Sequence, residues 1–109
     1  MKVLLTGSRG LLGSALLLAL IKNGYQTKEF VGDVTDSSCV KRNFRTFRAD
    51  VVIHTAAFTD VNKCEKNKKR CYEVNYVGTH HLLDSAKKIK ARFIYISTAS
   101  VFSGQEGNY

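Results

Sequence analysis

The chain has 109 residues, 44% hydrophobic and 24% charged, enough for one domain with one core and too apolar for a disordered segment. Seventeen Lys and Arg against nine Asp and Glu give a net charge of +8, which suits an anionic partner without choosing among nucleic acid, a membrane surface and a phosphorylated ligand. The apolar run 11–21 is too short to span a bilayer and lacks the features of a secretory leader, and three cysteines without CxxC spacing read as reduced thiols, so a cytoplasmic protein is expected.

In chain order, KVLLT at 2–6 is a short apolar run of the kind that forms a buried parallel strand, and a glycine-rich turn follows at once. A helix is expected from Leu11 to Asn23, apolar nearly all round and therefore sandwiched deeply, with Gly24 closing it. A second strand runs from Tyr25 to Phe30. Thr35 or Asp36 then caps a helix whose apolar positions Val40, Phe44 and Phe47 recur at helical spacing and turn the basic residues outward. DVVIHT at 50–55 is the third strand. From about Lys66 to Lys90 the positions Cys71, Val74, Gly78, Leu82, Ala86 and Ile89 form one stripe of a long amphipathic helix, and RFIYIS at 92–97 is the fourth strand. Strict alternation of strand and helix calls for right-handed crossovers. The expected fold is therefore an α/β, doubly wound parallel sheet of about four strands.

The segment Thr6-Gly7-Ser8-Arg9-Gly10-Leu11-Leu12-Gly13 sits between the first strand and the first helix, where a phosphate-binding glycine loop belongs. Such a loop needs one glycine for the tight turn, one for close approach of the backbone to pyrophosphate and one for packing of helix on strand. The free N–H groups and partial positive charge of the helix N-terminus complete an anion site. Three more segments follow strand ends in the same sheet: Gly32-Asp33-Val34, Ala56-Ala57-Phe58-Thr59 and Ser97-Thr98. Ligands of parallel sheets bind outside the carboxyl ends of the strands, so all four segments line one crevice, and the small Ala56 and Ala57 let a flat ligand lie against backbone.

The motifs TGSRGLLG, GDVTD, HTAAFTDVNKCE, YEVNYVGTHHL and RFIYISTASVFSG together resemble the N-terminal half of the extended short-chain dehydrogenases and, among these, the dTDP-4-dehydrorhamnose reductases. The resemblance covers essentially the whole chain and implies an NAD(P)-binding Rossmann domain over 1–109. It also implies that Gly7, Gly10, Leu11, Leu12 and Gly13 hold the pyrophosphate, and that Asp33 and Val34 meet the adenine end. Ala57, Phe58 and Thr59 would lie along the cofactor, and the Thr98 hydroxyl would hydrogen-bond the reacting oxygen of a nucleotide-linked sugar. The resemblance further implies a Tyr with a Lys four residues later as proton donor. Here Tyr25, Tyr72, Tyr76 and Tyr95 are followed at that spacing by Glu29, Tyr76, His80 and Ala99, and Tyr109 is the last residue. The chain is thus expected to stop before the pair and to be inactive alone.

The sequence departs from the reductase pattern at Ala99-Ser100, where the family has Asp-Tyr. At the adenosine ribose, Glu29 favours a free 2'-hydroxyl while Arg9 and Lys28 favour a 2'-phosphate; Arg9, directly before the middle glycine, tilts the reading slightly to NADP(H). The same half serves nucleotide-sugar epimerases and dehydratases, and a non-catalytic dinucleotide-binding regulatory subunit resembling the reductase is a further alternative. A nucleic-acid-binding domain lacks any recognised motif here. Cys64, Cys71, His80 and His81 match no metal pattern, because adjacent helical residues point about 100° apart. The basic run 66–70 reads as a solvated helix start whose charge opposes the dipole and hints at an anionic contact. The apolar, β-prone segment 93–96 would be an open edge, so self-association through it, or a homo-oligomer, is expected.

Overall fold

The computed structural model describes residues 1–55 and 66–96. Four strands, β1 (Lys2–Thr6), β2 (Gln26–Glu29), β3 (Val51–His54) and β4 (Arg92–Tyr95), form one parallel sheet in the order β2-β1-β3-β4. Helix α1 (Leu11–Lys22) links β1 to β2 and α2 (Ser37–Thr46) links β2 to β3. Before β4 come α3 (Lys68–Tyr72), a π-helical stretch (Glu73–Gly78) and α4 (Thr79–Lys88). The expected doubly wound sheet is present; β1 has the bounds read from sequence, and β2, β3 and β4 end one or two residues short of theirs. The single long helix is instead broken by the π-helical stretch. At its end the Thr79 hydroxyl donates to the Asn75 carbonyl four residues back at 2.9 Å, competing for the acceptor that an α-helical amide would use.

The central strands β1 and β3 are covered on both faces, which is why they carry no polar alternation. Leu4 and Val52 face a core with Val40, Phe44, Leu82 and Ala86 of α2 and α4, while Val3, Leu5, Val51 and Ile53 face Leu16, Leu17 and Leu20 of α1. The stripe read from sequence is correct: Cys71, Gly78, Leu82 and Ala86 are buried, and Val74 and Ile89 pack against the core. Asp36 caps α2, its carboxylate accepting from the Ser38 and Cys39 amides.

Two expectations fail. Helix α1 is not sandwiched: Gly13 is its only buried residue, and Leu11, Leu18 and Ile21 are 94%, 71% and 57% exposed, because among the described residues only one side of the helix meets the sheet. The cysteines are not all reduced thiols. Cys71 is disulfide-bonded, while Cys39 is free and buried. Pairing is decided by separation in space, which sequence spacing does not report.

A polar chain crosses the interior between the strands and α4. His54 is buried between the Thr6 hydroxyl, 2.7 Å from Nδ1, and the Thr79 hydroxyl, 2.9 Å from Nε2, tying β1, β3 and α4 together. The Thr6 hydroxyl also accepts from the Thr55 amide at 3.0 Å. Burial disfavours the imidazolium and lowers the His54 pKa from 6.5 to about 4. The unfolded chain therefore binds a proton between these values while the folded chain does not, so acid favours unfolding. The stability from this group is full above about pH 6.5 and falls by about 1.4 kcal/mol per pH unit down to about pH 4, roughly 3 kcal/mol in all. Urea denaturation at pH 7, 6 and 5 should show this slope in the native protein and a flatter one in His54→Asn. Equal slopes would place the proton uptake elsewhere.

Candidate functional site

The site begins where β1 ends. Gly7 has a φ of 72°, a left-handed conformation natural to glycine, and its carbonyl accepts from the Gly10 amide at 3.0 Å, closing a tight turn. The chain then enters α1 so sharply that a Cβ on Gly13 would lie 1.8 Å from the Gly7 carbonyl oxygen. Glycine at 13 is thus fixed by the protein itself. Gly10 differs: its backbone is extended (φ −75°, ψ 172°) and an added Cβ would stand 3.4 Å from that same oxygen, an ordinary contact. Nothing within the described chain demands glycine at 10, which is the behaviour of a position kept small for a ligand. Gly10 caps α1 without a side-chain hydrogen bond and the first turn holds no acidic residue, so its amides and the helix dipole are left for an anion.

A cavity of about 620 Å³ opens beside this turn. Thr6, Gly7, Ser8 and Arg9 line one end, Glu29 to Val34 follow β2, and Arg70 and Val74 close it from the helical side. Of the residues singled out in the sequence, the structure brings Gly7, Arg9, Asp33 and Val34 together in this wall, with Gly10, Leu11, Leu12 and Gly13 adjoining as the cap and first turn of α1. Ala56, Ala57, Phe58, Thr59 and Thr98 lie outside the described residues.

Glu29 and Lys28, neighbours on β2, part company. Glu29 lines the cavity and accepts from the Ser8 hydroxyl at 2.6 Å. Lys28 turns to the other face, where its ammonium donates to the Thr46 hydroxyl at 2.8 Å and stands 6.0 Å from the centre of the Phe47 ring. The sequence-based pairing of Lys28 with Arg9 around a 2'-phosphate is therefore corrected: only Arg9 is in place.

The loop after β2 is bound closely. Gly32 has a φ of 109°, and a Cβ there would meet the Cys39 sulfur at 2.1 Å. Asp33 Oδ1 accepts from the Thr35 amide at 2.9 Å and the Thr35 hydroxyl at 2.7 Å, and Oδ2 accepts from Arg70 Nη2 at 2.8 Å. The Thr35 amide first, and then Arg70, hold the carboxyl at about 2, well below its usual range. The solvated reading of the run 66–70 thus fails at Arg70, whose anion is Asp33. Arg70 escaped the sequence analysis because that partner is 37 residues away; the unfavourable charge at a helix start was its only signal. Val34 packs against Gly78, where a Cβ would approach its Cγ2 to 2.5 Å, and the His81 ring donates from Nδ1 to the Val34 carbonyl at 3.0 Å. His81 is thereby occupied in holding this loop.

These features fit a long ligand with phosphates at one end and a polar base at the other. The family described as RmlD substrate binding domain matches residues 1–109. A dTDP-4-dehydrorhamnose reductase of Mycobacterium tuberculosis is 36% identical over 109 residues, spanning 97% of this chain and 35% of that protein. The structure of a dTDP-4-dehydrorhamnose reductase from Bacillus anthracis in complex with NADP superposes with a TM-score of 0.87 at 31% identity, covering 96% of this chain and 39% of that one. The Thermus thermophilus UDP-glucose 4-epimerase in complex with NAD gives 0.79 at 28% identity, covering 84% and 35%. The chain spans little more than a third of the curated relative's length.

Gly10→Val separates ligand from fold, since valine suits the extended backbone and its Cβ makes only an ordinary contact with the Gly7 carbonyl oxygen. Calorimetry should show dinucleotide affinity lowered by at least tenfold, about 1.4 kcal/mol or more as for overpacking a tight contact, with unchanged circular dichroism. Full affinity in this variant would remove the glycine loop from the site.

Proposed function

The chain belongs to the RmlD substrate binding domain family, and from that membership we propose that it is the cofactor-binding part of an NAD(P)-dependent, cytoplasmic reductase acting on a nucleotide-linked 4-keto sugar. The observation that carries the reading is the continuous cavity from the Gly7 turn to Asp33 and Val34. In this reading the amides of Leu11, Leu12 and Gly13 and the α1 dipole take the pyrophosphate, and Arg9 or Glu29 meets the adenosine ribose. Asp33 and Val34 take the base. Ala56, Ala57, Phe58 and Thr59 lie along the cofactor, and the Thr98 hydroxyl donates to the sugar's reacting oxygen. A nicotinamide dinucleotide supplies hydride when bound. The residues of this chain bind and orient; none of its five tyrosines has a Lys four residues on, so a Tyr-Lys proton donor is not among them.

The likeness to the epimerase keeps a nucleotide-sugar epimerase or dehydratase as the second reading. Thr98 and the cavity serve either enzyme, so the two are separated by product analysis of a chain that carries a Tyr-x-x-x-Lys.

With Lys28 turned away, Arg9 alone supports the preference for NADP(H), opposed by Glu29. One charge-assisted hydrogen bond is worth about 1 kcal/mol net in such a setting, so the preference should be about fivefold. Competition titration should show Arg9→Ala reversing it and Glu29→Gln enlarging it; a preference insensitive to both would move ribose recognition elsewhere. The 109-residue chain should bind cofactor yet oxidise none with a keto sugar, and measurable turnover would overturn the assignment of the proton donor.

Association is part of the proposal. Among the described residues the outer edge of β4 is unpaired, with Ile94 and Tyr95 each 40% exposed. Screening limits repulsion from the +8 charge to about 8 Å at physiological salt, so the edge should prevail and the chain should self-associate. Sedimentation showing one monomeric species over a wide concentration range would contradict this.

A further inference from the structure

The helical run from α3 to α4 holds three successive residues of the β2 loop: Arg70 binds Asp33 and Thr35, Gly78 gives room to Val34, and His81 binds the Val34 carbonyl. Of the three, only Arg70 also lines the cavity. Its guanidinium uses two different nitrogens, Nη2 on Asp33 at 2.8 Å and Nη1 on the Thr35 hydroxyl at 3.2 Å. That hydroxyl in turn donates to Asp33 at 2.7 Å, so the three side chains close a ring of hydrogen bonds. Glu73, 3.7 Å from Nη1, steadies the guanidinium from the helical side.

The ring leaves the two carboxylate oxygens unequal. Each has two acceptor positions. Oδ1 has both taken, by the amide and hydroxyl of Thr35, whereas Oδ2 has one taken, by Arg70. The acceptor position remaining on Asp33 is therefore on the oxygen whose direction Arg70 fixes. Asp33 and Arg70 are 45% and 38% exposed, so a ligand in the cavity can reach them.

We propose that Arg70 determines base specificity by positioning Asp33, aiming the second acceptor position of Oδ2 at an exocyclic amino group and so selecting a 6-amino purine over a 6-oxo one. The inference rests on the dinucleotide reading above. A 6-oxo group would set an acceptor against the carboxylate, and a freed carboxylate would rotate and lose the distinction. The planar fork of arginine is needed because its two donors meet two partners at once; lysine offers a point charge without that geometry.

The test compares binding of NADH and of its hypoxanthine analogue by calorimetry, in the native protein and in Arg70→Met, Arg70→Lys, Asp33→Asn and Arg70→Met/Asp33→Asn, each checked for fold by circular dichroism. The native protein should favour the adenine form. Because the pair is partly exposed, Arg70→Met should weaken NADH binding by only about fivefold, with the preference for adenine falling toward unity, and Arg70→Lys should lie between. On the Asp33→Asn background, Arg70→Met should change nothing further. Equal loss on both ligands, an increased preference for adenine, or additive effects in the double variant would overturn the role of Arg70 while leaving the cofactor reading in place. Failure of the native protein to bind either ligand would overturn both.

Discussion

The reversal from β1 into α1 leaves no room for a side chain at Gly13, and the rest of the molecule is arranged around that contact. With the first turn of α1 pressed on the Gly7 carbonyl, the uncapped amides of the helix are brought to the carboxyl end of the sheet rather than to its side. Parallel pairing of β1 with β2 and β3 places the ends of those strands at the same level, so the Gly7 turn and the loop after β2 share one cavity. A methyl group at 13 would therefore disturb the fold and the site together, whereas one at 10 would make only an ordinary contact with the Gly7 carbonyl oxygen.

The opposite end of the cavity is fixed differently. There the backbone is held by Cys39 under Gly32 and, from more distant parts of the chain, by Gly78 beneath Val34, Arg70 on Asp33 and His81 on the Val34 carbonyl. The end at the Gly7 turn is thus built from local geometry and the end at Asp33 chiefly from tertiary contacts. Exposure of the ion pair limits its worth to stability, but not its power to set the direction of an acceptor.

This division explains what could be read from the sequence. The strands, the capping of α2 at Thr35 or Asp36 and the glycine turn depend on neighbours in the chain and were legible, the structure choosing Asp36 as the cap. The deep burial expected of α1 was wrong because an apolar helix reports what it would tolerate, not what covers it, and Leu11, Leu18 and Ile21 are left in solvent. Lys28 was misplaced although strand alternation carried the answer: adjacent residues on β2 face opposite sides, so Glu29 in the cavity puts Lys28 outside. Arg70 meets its partner across 37 residues of chain, an approach that no periodicity encodes.

The two faces of the sheet are unequally covered. One carries a core that draws on α2 and α4, the other chiefly the inner side of α1. Cooperative opening is easier where less apolar surface must be exposed, so of the two layers covering the sheet the one formed by α1 has less to expose on opening. It is also the element that carries the uncapped amides. An anion seated on its N-terminus would bind the closed form and not the open one, drawing down the exchange of a whole helix from a single end. Occupancy of that N-terminus by an anion and rigidity of this layer would then be two readings of one equilibrium.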